Sequence, residues 1–566
     1  MRIAERLMIM YLKRGFLAFM IFMTVLCTAF PSLADNITDG SCGPNLTWTY
    51  NSETKTLTIS GTGTMPNYDD LTVKGGMFAP WVKASSIGDN LEKVEILDGV
   101  ANIGENAFYY CGKLKSITIA NSVTSIGSGA FYHCDSLMDI TIPESVTFIG
   151  DNAFSYCNGL TSITIPGTVT NIGDGAFSSC DGLRNVTISD GVQRIGEYAF
   201  YWCGALENIS LPDSLTEIGV NAFYLTQYYP SEPEWDVLYI DNHLIKACEW
   251  NFNHNEALNE YTVKSGTVSM ADNAFEGCEK LENITLPESL VSIGKRAFYS
   301  CSGLTDIEIP QGVTYIGDYA FETCTALTSI RVAEDNPAYC SENGVLYSND
   351  KSEIVRFPCK KTDTAFAIPD GVTTVADGAF ERCWDLTGIV IPKGVTKIGN
   401  DAFNYCSALT DIIIPEGVTL IGDRAFYECS DLKNATIPNS IFGIGEYAFS
   451  GCSKLTKVYY IGDETDWGEI AKGKNYSIPD SIIEYCKGIS AKRTEDGKIV
   501  VKPIKMNSGT VILALYDGNG LAQMQTEKYN GTEITFETSK AYTYAKVMVW
   551  SDLERLFPEC DARILK

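Results

Sequence analysis

The dipeptide Ala-Phe returns thirteen times in one frame, with Phe at 108, 131, 154, 177, 200 and 223, then 275, 298 and 321, then 380, 403, 426 and 449. Within each of these runs the interval is 23 residues. A fixed period in the 20s marks a solenoid, whose units are each too small to bury an apolar face and stack on their neighbours to do so. Such a chain builds a long surface before it builds a site.

Aligned, the copies read L-x-x-I-x-I-P-x-x-V-x-x-I-G-x-x-A-F-x-x-C, as at Leu160, Ile163, Ile165, Pro166, Val169, Ile172, Gly173, Ala176, Phe177 and Cys180. The opening L-x-x-I-x-I predicts a leucine-rich-repeat strand. Ile163 and Ile165 point to one side of an extended segment and Thr164 to the other. With parallel coils about 4.8 Å apart, the stack predicts a rod on the order of 60–70 Å long.

The Gly of the unit serves either a positive φ or close packing. Ala271 and Ala376 replace it in the first copy after each interruption, and Ala tolerates positive φ poorly, which favours packing. Twelve copies carry Cys three residues after Phe, and Thr226 is the exception. A redox or metal ladder is one reading of that column. Equivalent side chains of parallel coils point the same way, however, which is poor bridging geometry, and buried free Cys behaves as a small hydrophobe. The column therefore reads as core.

The formal net charge is −28, from 71 acidic against 43 basic residues. Such a surface repels phosphate backbones and argues against nucleic acid as partner. Residues 1–34 read as a secretory signal peptide: Lys13 and Arg14, an apolar run from Phe16 to Phe30, then Ser32 and Ala34 before a cut. Bulky Leu26 before Cys27 argues against lipid attachment there. No second apolar stretch of about 18 residues follows, so the mature chain carries no transmembrane span. The chain closes on Ile564, Leu565 and Lys566 without a hydrophobic or sorting-type tail. Cys42, Cys248, Cys340, Cys359, Cys486 and Cys560 lie outside the frame, and Cys340 with Cys359 is the first candidate pair for a bridge.

Residues 35–90 read as an N-terminal β cap, with Leu46, Trp48, Tyr50, Leu57 and Ile59 at alternating spacing. The solenoid spans 91–460, with hairpin interruptions near 224–262 and 333–367 spliced between coils without destroying the stack. These interruptions either only lengthen a coil or, as loops, carry function. A closing C-terminal cap follows over 461–488. Residues 489–566 alternate with period two around Asp517-Gly-Asn-Gly520 and Asn530-Gly531, two hairpin signals, and read as a small immunoglobulin-like β-sandwich.

The unit I-G-x-x-A-F-x-x-C-x-x-L-x-x-I-x-I-P-x-x-V resembles the repeat of the BspA-like leucine-rich-repeat family, over Leu91 to Tyr460. Leu46-Thr-Trp48, Leu57 to Gly63 and Ala79-Pro-Trp81 are similar to the N-terminal region of such proteins, and the segment with Lys546 to Trp550 and Pro558-Glu-Cys560 to an accessory β-domain of secreted proteins. The resemblance implies a secreted or cell-surface protein that binds host extracellular matrix, a cell-surface protein or a glycan. It supplies no catalytic motif.

Down the stack, the outward strand position runs Thr118, Thr141, Thr164, Thr187, Ser210, Thr285, Glu308, Arg331, Val390, Ile413 and Thr436. The Thr column reads as β-propensity on an exposed strand. Val390 and Ile413 form an apolar patch that an insertion or a partner would cover. A second stripe holds Tyr109, Tyr110, Tyr132, His133, Tyr156, Tyr201 and Trp202, continued by Tyr299, Tyr405 and Tyr427. Flat amphipathic rings suit protein or sugar contact; they equally suit covering the neighbouring coils. Catalysis has thin support. His occurs only at 133, 243 and 254, no His-Glu-x-x-His or Gly-x-Ser-x-Gly motif is present, and Asp151, Asp174 and Asp318 recur where each caps a short turn. The expectation is a monomeric, non-catalytic binding protein without metal or cofactor. The alternatives are carbohydrate binding by the C-terminal sandwich and a self-assembling surface scaffold.

Overall fold

The computed structural model describes residues 39–485, apart from 70–72, 74, 75, 84, 229–236, 248–258 and 463, and seven strands between Ile489 and Leu565. The signal peptide and His254 lie outside the described residues. Two compact units are present: residues up to Val186 with Ala199–Leu206, and Thr187–Tyr198 with Glu207 onward.

In the first unit, alternation builds a parallel ladder. Lys93–Ile96 pairs in parallel with Ser116–Ile119, placing Val94 against Ile117 and Ile96 against Ile119. Those four side chains are buried while Thr118 between them is exposed. Leu46–Asn51 and Thr56–Gly61 form an antiparallel pair, and the second of these runs parallel to Lys93–Ile96. Two-residue strands, Asn102–Ile103, Ser125–Ile126, Phe148–Ile149 and Asn171–Ile172, make a second parallel ladder. Between the ladders the Phe rings of 108, 131, 154, 177 and 200 stack at 5.1–5.3 Å with planes within 11° of parallel. The fold is therefore a leucine-rich-repeat solenoid with one coil per 23-residue unit.

A third set of contacts joins successive coils at the Ala-Phe turn. The amides of Asn106, Phe108 and Tyr110 donate to the carbonyls of Ser128, Ala130 and Tyr132 at 3.0, 2.8 and 2.8 Å, and the pattern repeats along the chain. Every other amide thus points forward, which requires left-handed backbone at two places per coil. In all thirteen coils the residues two before and two after Phe have positive φ, Asn106 at 53° and Tyr110 at 61° in the first. Only five of these thirteen residue pairs include a Gly, so the inter-coil bonds, not the side chain, hold this conformation.

The repeat Gly is a packing residue, as expected. At Gly173, whose φ is not positive, an added Cβ would sit 2.5 Å from the Gly150 carbonyl carbon and 2.6 Å from the Asp151 nitrogen. Ala271 and Ala376 escape this clash because the layer before each is an interruption strand: their amides donate to Leu244 at 2.9 Å and Ile354 at 3.1 Å.

In the second unit the interruptions enter the ladders. Leu238–Ile240 and His243–Lys246 form an antiparallel hairpin whose second strand runs parallel to Ser269–Met270. Tyr339–Glu342, Val345–Ser348 and Glu353–Arg356 form a three-strand meander whose last strand runs parallel to Thr374–Val375. At this meander the buried side chains fall into two clusters. Leu346 belongs to a core running from Leu244 to Ile330, whereas Val345 and Tyr347, on the other side of the same strand, belong to a core running on to Ile483. Phe298 stacks on Phe321 and Phe357 on Phe380, but among the described residues no ring contact joins Phe321 to Phe357.

The C-terminal strands form two antiparallel sheets. Ile489–Arg493, Ile499–Pro503 and Ile534–Phe536 make one; Gly520–Tyr529, Gly509–Asp517, Tyr544–Trp550 and Pro558–Leu565 make the other. The hairpin expected at Asp517 to Gly520 is present, with those two residues paired. The one expected at Asn530-Gly531 lies outside the described residues; beyond it, Ile534–Phe536 pairs with Ile499–Pro503, Thr535 against Val500.

Candidate functional site

The aromatic stripe follows from the Ala-Phe turn. Left-handed backbone two residues after Phe turns that side chain along the stack, so equivalent residues meet. Tyr110, His133 and Tyr156 form one column, with centroids 4.6 and 4.3 Å apart and planes within 20°. Tyr109 and Tyr132 form a second, at 4.9 Å and 9°. His133 is buried, and its Nδ1 lies 3.5 Å from Asp135 Oδ2. Burial pushes the Tyr132 hydroxyl up to about 12 and also raises that of Tyr110. These rings therefore cover neighbouring coils. Tyr156 and Trp202 nevertheless keep 36% and 43% of their surface exposed, and Tyr201, half-buried, meets Trp202 edge-on at 6.1 Å. In the second unit the stripe is sparse: Tyr405 meets Tyr427 at 5.7 Å and carries Arg382 over its face, and Tyr299 lies beside Arg296.

On the strand face, Thr118, Thr141, Thr164, Thr187, Ser210, Thr285, Glu308 and Arg331 are exposed, and Thr436 is half-buried. Val390 is 64% and Ile413 37% exposed, so the interruptions do not cover them. Sequence reasoning missed a second apolar patch on the two-residue ladder, where Leu420 is exposed and Phe442 is 75% so. The signal was available: Phe442 stands where earlier copies carry Thr, as at Thr396 and Thr419.

The cysteine column does more than fill space. From Cys134 onward the free thiols of the column donate to the carbonyl of the preceding coil's Phe, as Cys134 to Phe108 at 3.3 Å, Cys157 to Phe131 at 3.2 Å and Cys429 to Phe403 at 3.2 Å. Burial pushes the Cys111 thiol up to about 12 and raises that of Cys134 well above its ordinary value. Cys278 is buried in the same column but is disulfide-bonded, an exception to the reading of the column as plain core. The bridge expected between Cys340 and Cys359 is absent, and both are free. Cys359 points into the core, donating to the Cys324 carbonyl at 3.2 Å, while Cys340 sits on the meander's outer strand and donates to Ser348 at 3.3 Å.

The recurrent carboxylates serve the stack. Asp151 Oδ1 accepts the amide of Asp174 at 2.9 Å and Asp272 Oδ1 that of Lys295 at 2.7 Å, so each caps the next coil and not its own turn. His243 is buried, with Nδ1 2.6 Å from Ser269 Oγ and Nε2 3.1 Å from the Pro212 carbonyl. At the meander a polar cluster takes the place of coil contacts. Glu381 is buried, its Oε2 accepts the Thr323 amide at 3.3 Å, and Arg356 donates to the carbonyls of Gly378 and Glu381. A cavity of about 110 Å³ adjoins it, lined by Tyr319, Glu322, Tyr339, Arg356 and Asp377 among others. Among the described residues no three His, Cys, Asp or Glu side chains are placed to hold a metal ion, and no helix is long and apolar enough to cross a membrane.

A family model described as BspA type leucine rich repeat region matches residues 87–203, 147–251, 231–343 and 355–471. Among solved structures, a leucine rich cell surface protein from Faecalibacterium prausnitzii is 27% identical over 78% of this chain and 99% of its own, with a TM-score of 0.27. A leucine-rich repeat protein from Eubacterium ventriosum is 22% identical over 81% and 98%, at 0.32. The pneumococcal vaccine antigen PcpA is 19% identical over 79% and 88%, at 0.37. No curated protein matches the chain.

Proposed function

Because the chain belongs to the BspA-type leucine-rich-repeat family, we propose that it is a secreted or cell-surface, non-catalytic binding protein. Its solenoid surface contacts a host extracellular-matrix or cell-surface protein or glycan. In this reading residues 1–34 direct export, 35–90 and 461–488 close the ends of the solenoid, and 489–566 form a separate small β-sandwich. The observation that carries the reading is the display of large exposed side chains on a strictly repeated backbone: Tyr156, Trp202, Val390 and Phe442 all exceed a third of their full exposure. A surface that invests such residues at regular positions suits recognition better than solubility does.

The test immobilises the mature chain and measures capture of matrix proteins, host-cell surface proteins and glycans. A variant with Tyr156, Trp202, Val390 and Ile413 all replaced by Ser is expected to melt within a few degrees of the wild type and to lose capture. Undiminished capture by that variant sinks the assignment to these surfaces.

A further inference from the structure

The aromatic stripe has one gap, at the coil of Phe177. Its neighbours carry Tyr109-Tyr110, Tyr132-His133, Ser155-Tyr156 and Tyr201-Trp202 after Phe; this coil alone among them carries Ser178-Ser179. Tyr156, Ser179 and Trp202 occupy equivalent positions with φ of 62°, 58° and 59°. They are therefore successive rungs of one column. Tyr156 is covered on one side by His133 at 4.3 Å, and on the other Ser179 puts no ring against it. Trp202 stands edge-on to Tyr201 at 82°, much as His133 stands to Tyr132 at 77°.

The two exposed rings are thus two coil steps apart, about 10 Å. That is too wide for them to touch, and it is the interval that His133 fills between Tyr110 and Tyr156, so it admits one ring-sized group. Ser179 lies between them, 9% exposed. Ser178 beside it is half-buried, and Asn158 and Asp181 stand on the rim, joined by the Asp181 amide donating to Asn158 Oδ1 at 3.3 Å.

We propose that this slot binds a hexopyranose ring of a neutral glycan. A saturated six-membered ring presents C–H faces to aromatic walls on both sides and hydroxyls to a floor of serines. An anionic sugar would meet Asp181 and a chain of net charge −28. This assignment rests on the solenoid being a binding surface and adds the ligand class and the place.

The test uses the full mature chain on an array of neutral, sialylated and sulfated glycans, with three proteins compared. Ser179→Tyr refills the column with a residue that Tyr110, Tyr156 and Tyr405 already place at the same φ, so it folds while closing the slot. Trp202→Ala removes one wall. The expected result is wild-type binding to neutral hexose glycans, weakened by about tenfold or more in both variants with unchanged melting. Absence of neutral-glycan binding by the wild type, or full binding by Ser179→Tyr, overturns the proposal. Where the slot fails on these grounds, capture of a matrix protein by the wild type leaves the broader function standing.

Discussion

Trp81 lies on Phe108, ring centroids 5.6 Å apart at 22°, and its indole N–H donates to the Ala107 carbonyl at 2.7 Å. In later coils that carbonyl receives the preceding Phe amide, as Ala130 does from Phe108. One side chain thus supplies both the ring and the donor that a preceding coil would have brought. The Tyr68 amide does the same for Glu105, at 3.0 Å.

Replacing Trp81 separates the two contributions. Trp81→Phe keeps a ring and loses the donor, leaving a buried carbonyl short of a partner, at an expected cost of about 1–2 kcal/mol. Trp81→Ala also opens a cavity and is expected to cost about 3–5 kcal/mol. Because a solenoid unfolds by neighbouring repeats, the loss should appear as faster amide exchange around residues 93–134 before global melting changes. Uniform loosening along the whole chain would show that Trp81 does not act on the first coils.

The thiol column predicts a labelling pattern. At pH 8, Cys134, Cys157, Cys180 and their equivalents are buried, protonated and donating, so a maleimide should leave them unmodified in the native protein. Cys340 and Cys452, half-buried, should label first. Mass spectrometry of peptides after brief labelling reads this directly. Rapid native labelling at Cys157 would mean that the coils open far more readily than their contacts imply.

The period alone located the buried Phe, Leu and Ile columns, because stacking forces equivalent residues together. It could not locate residues that act once. Trp81 has no counterpart in any copy. Phe357 sits 23 residues before Phe380 but follows Arg356 where the frame has Ala, which hid it inside an apparent hairpin. The proximity of Cys340 and Cys359 suggested a bridge, yet closeness in sequence does not say which way two side chains point. For the aromatic stripe, spacing brought Tyr109, Tyr110, Tyr132, Tyr156, Tyr201 and Trp202 to one edge. Which rings would be covered and which left open depended on a backbone conformation that nothing in the residue types announced, since Tyr, Trp and Arg all adopt it.

Gly173 and Ala271 predict opposite responses at one repeat position. Gly173→Ala drives a Cβ into the Gly150–Asp151 peptide, with no flexible atom to yield. Separating two coils there is expected to cost about 3 kcal/mol. Ala271→Gly meets an interruption strand instead and loses only one buried methyl and some backbone restraint, about 1 kcal/mol. Denaturant melts of the two variants compare them. Equal costs would mean that the position is governed by backbone freedom after all.

Glu322 makes the stack at the meander sensitive to pH. Burial, then the nearby Glu381, raises its carboxyl from the ordinary carboxylate range to about 7, against the pull of Arg296 at 3.4 Å. A folded-state value above the unfolded one means that the native protein binds the proton more tightly. Stability is therefore expected to rise as pH falls from 8 toward 5, and to be lost as pH climbs through about 7, by on the order of 3 kcal/mol at most. Asp272, raised by burial to about 6, adds in the same direction over a lower range. Because acidification also relieves the general negative charge, the decisive comparison is Glu322→Gln. That variant should be more stable than the wild type at pH 8, less so by the value of the Arg296 contact, and its stability should change less between pH 8 and pH 6. Amide exchange should place the difference around residues 316–324 and 353–381. An identical pH slope in both proteins would show that Glu322 is not the group that titrates.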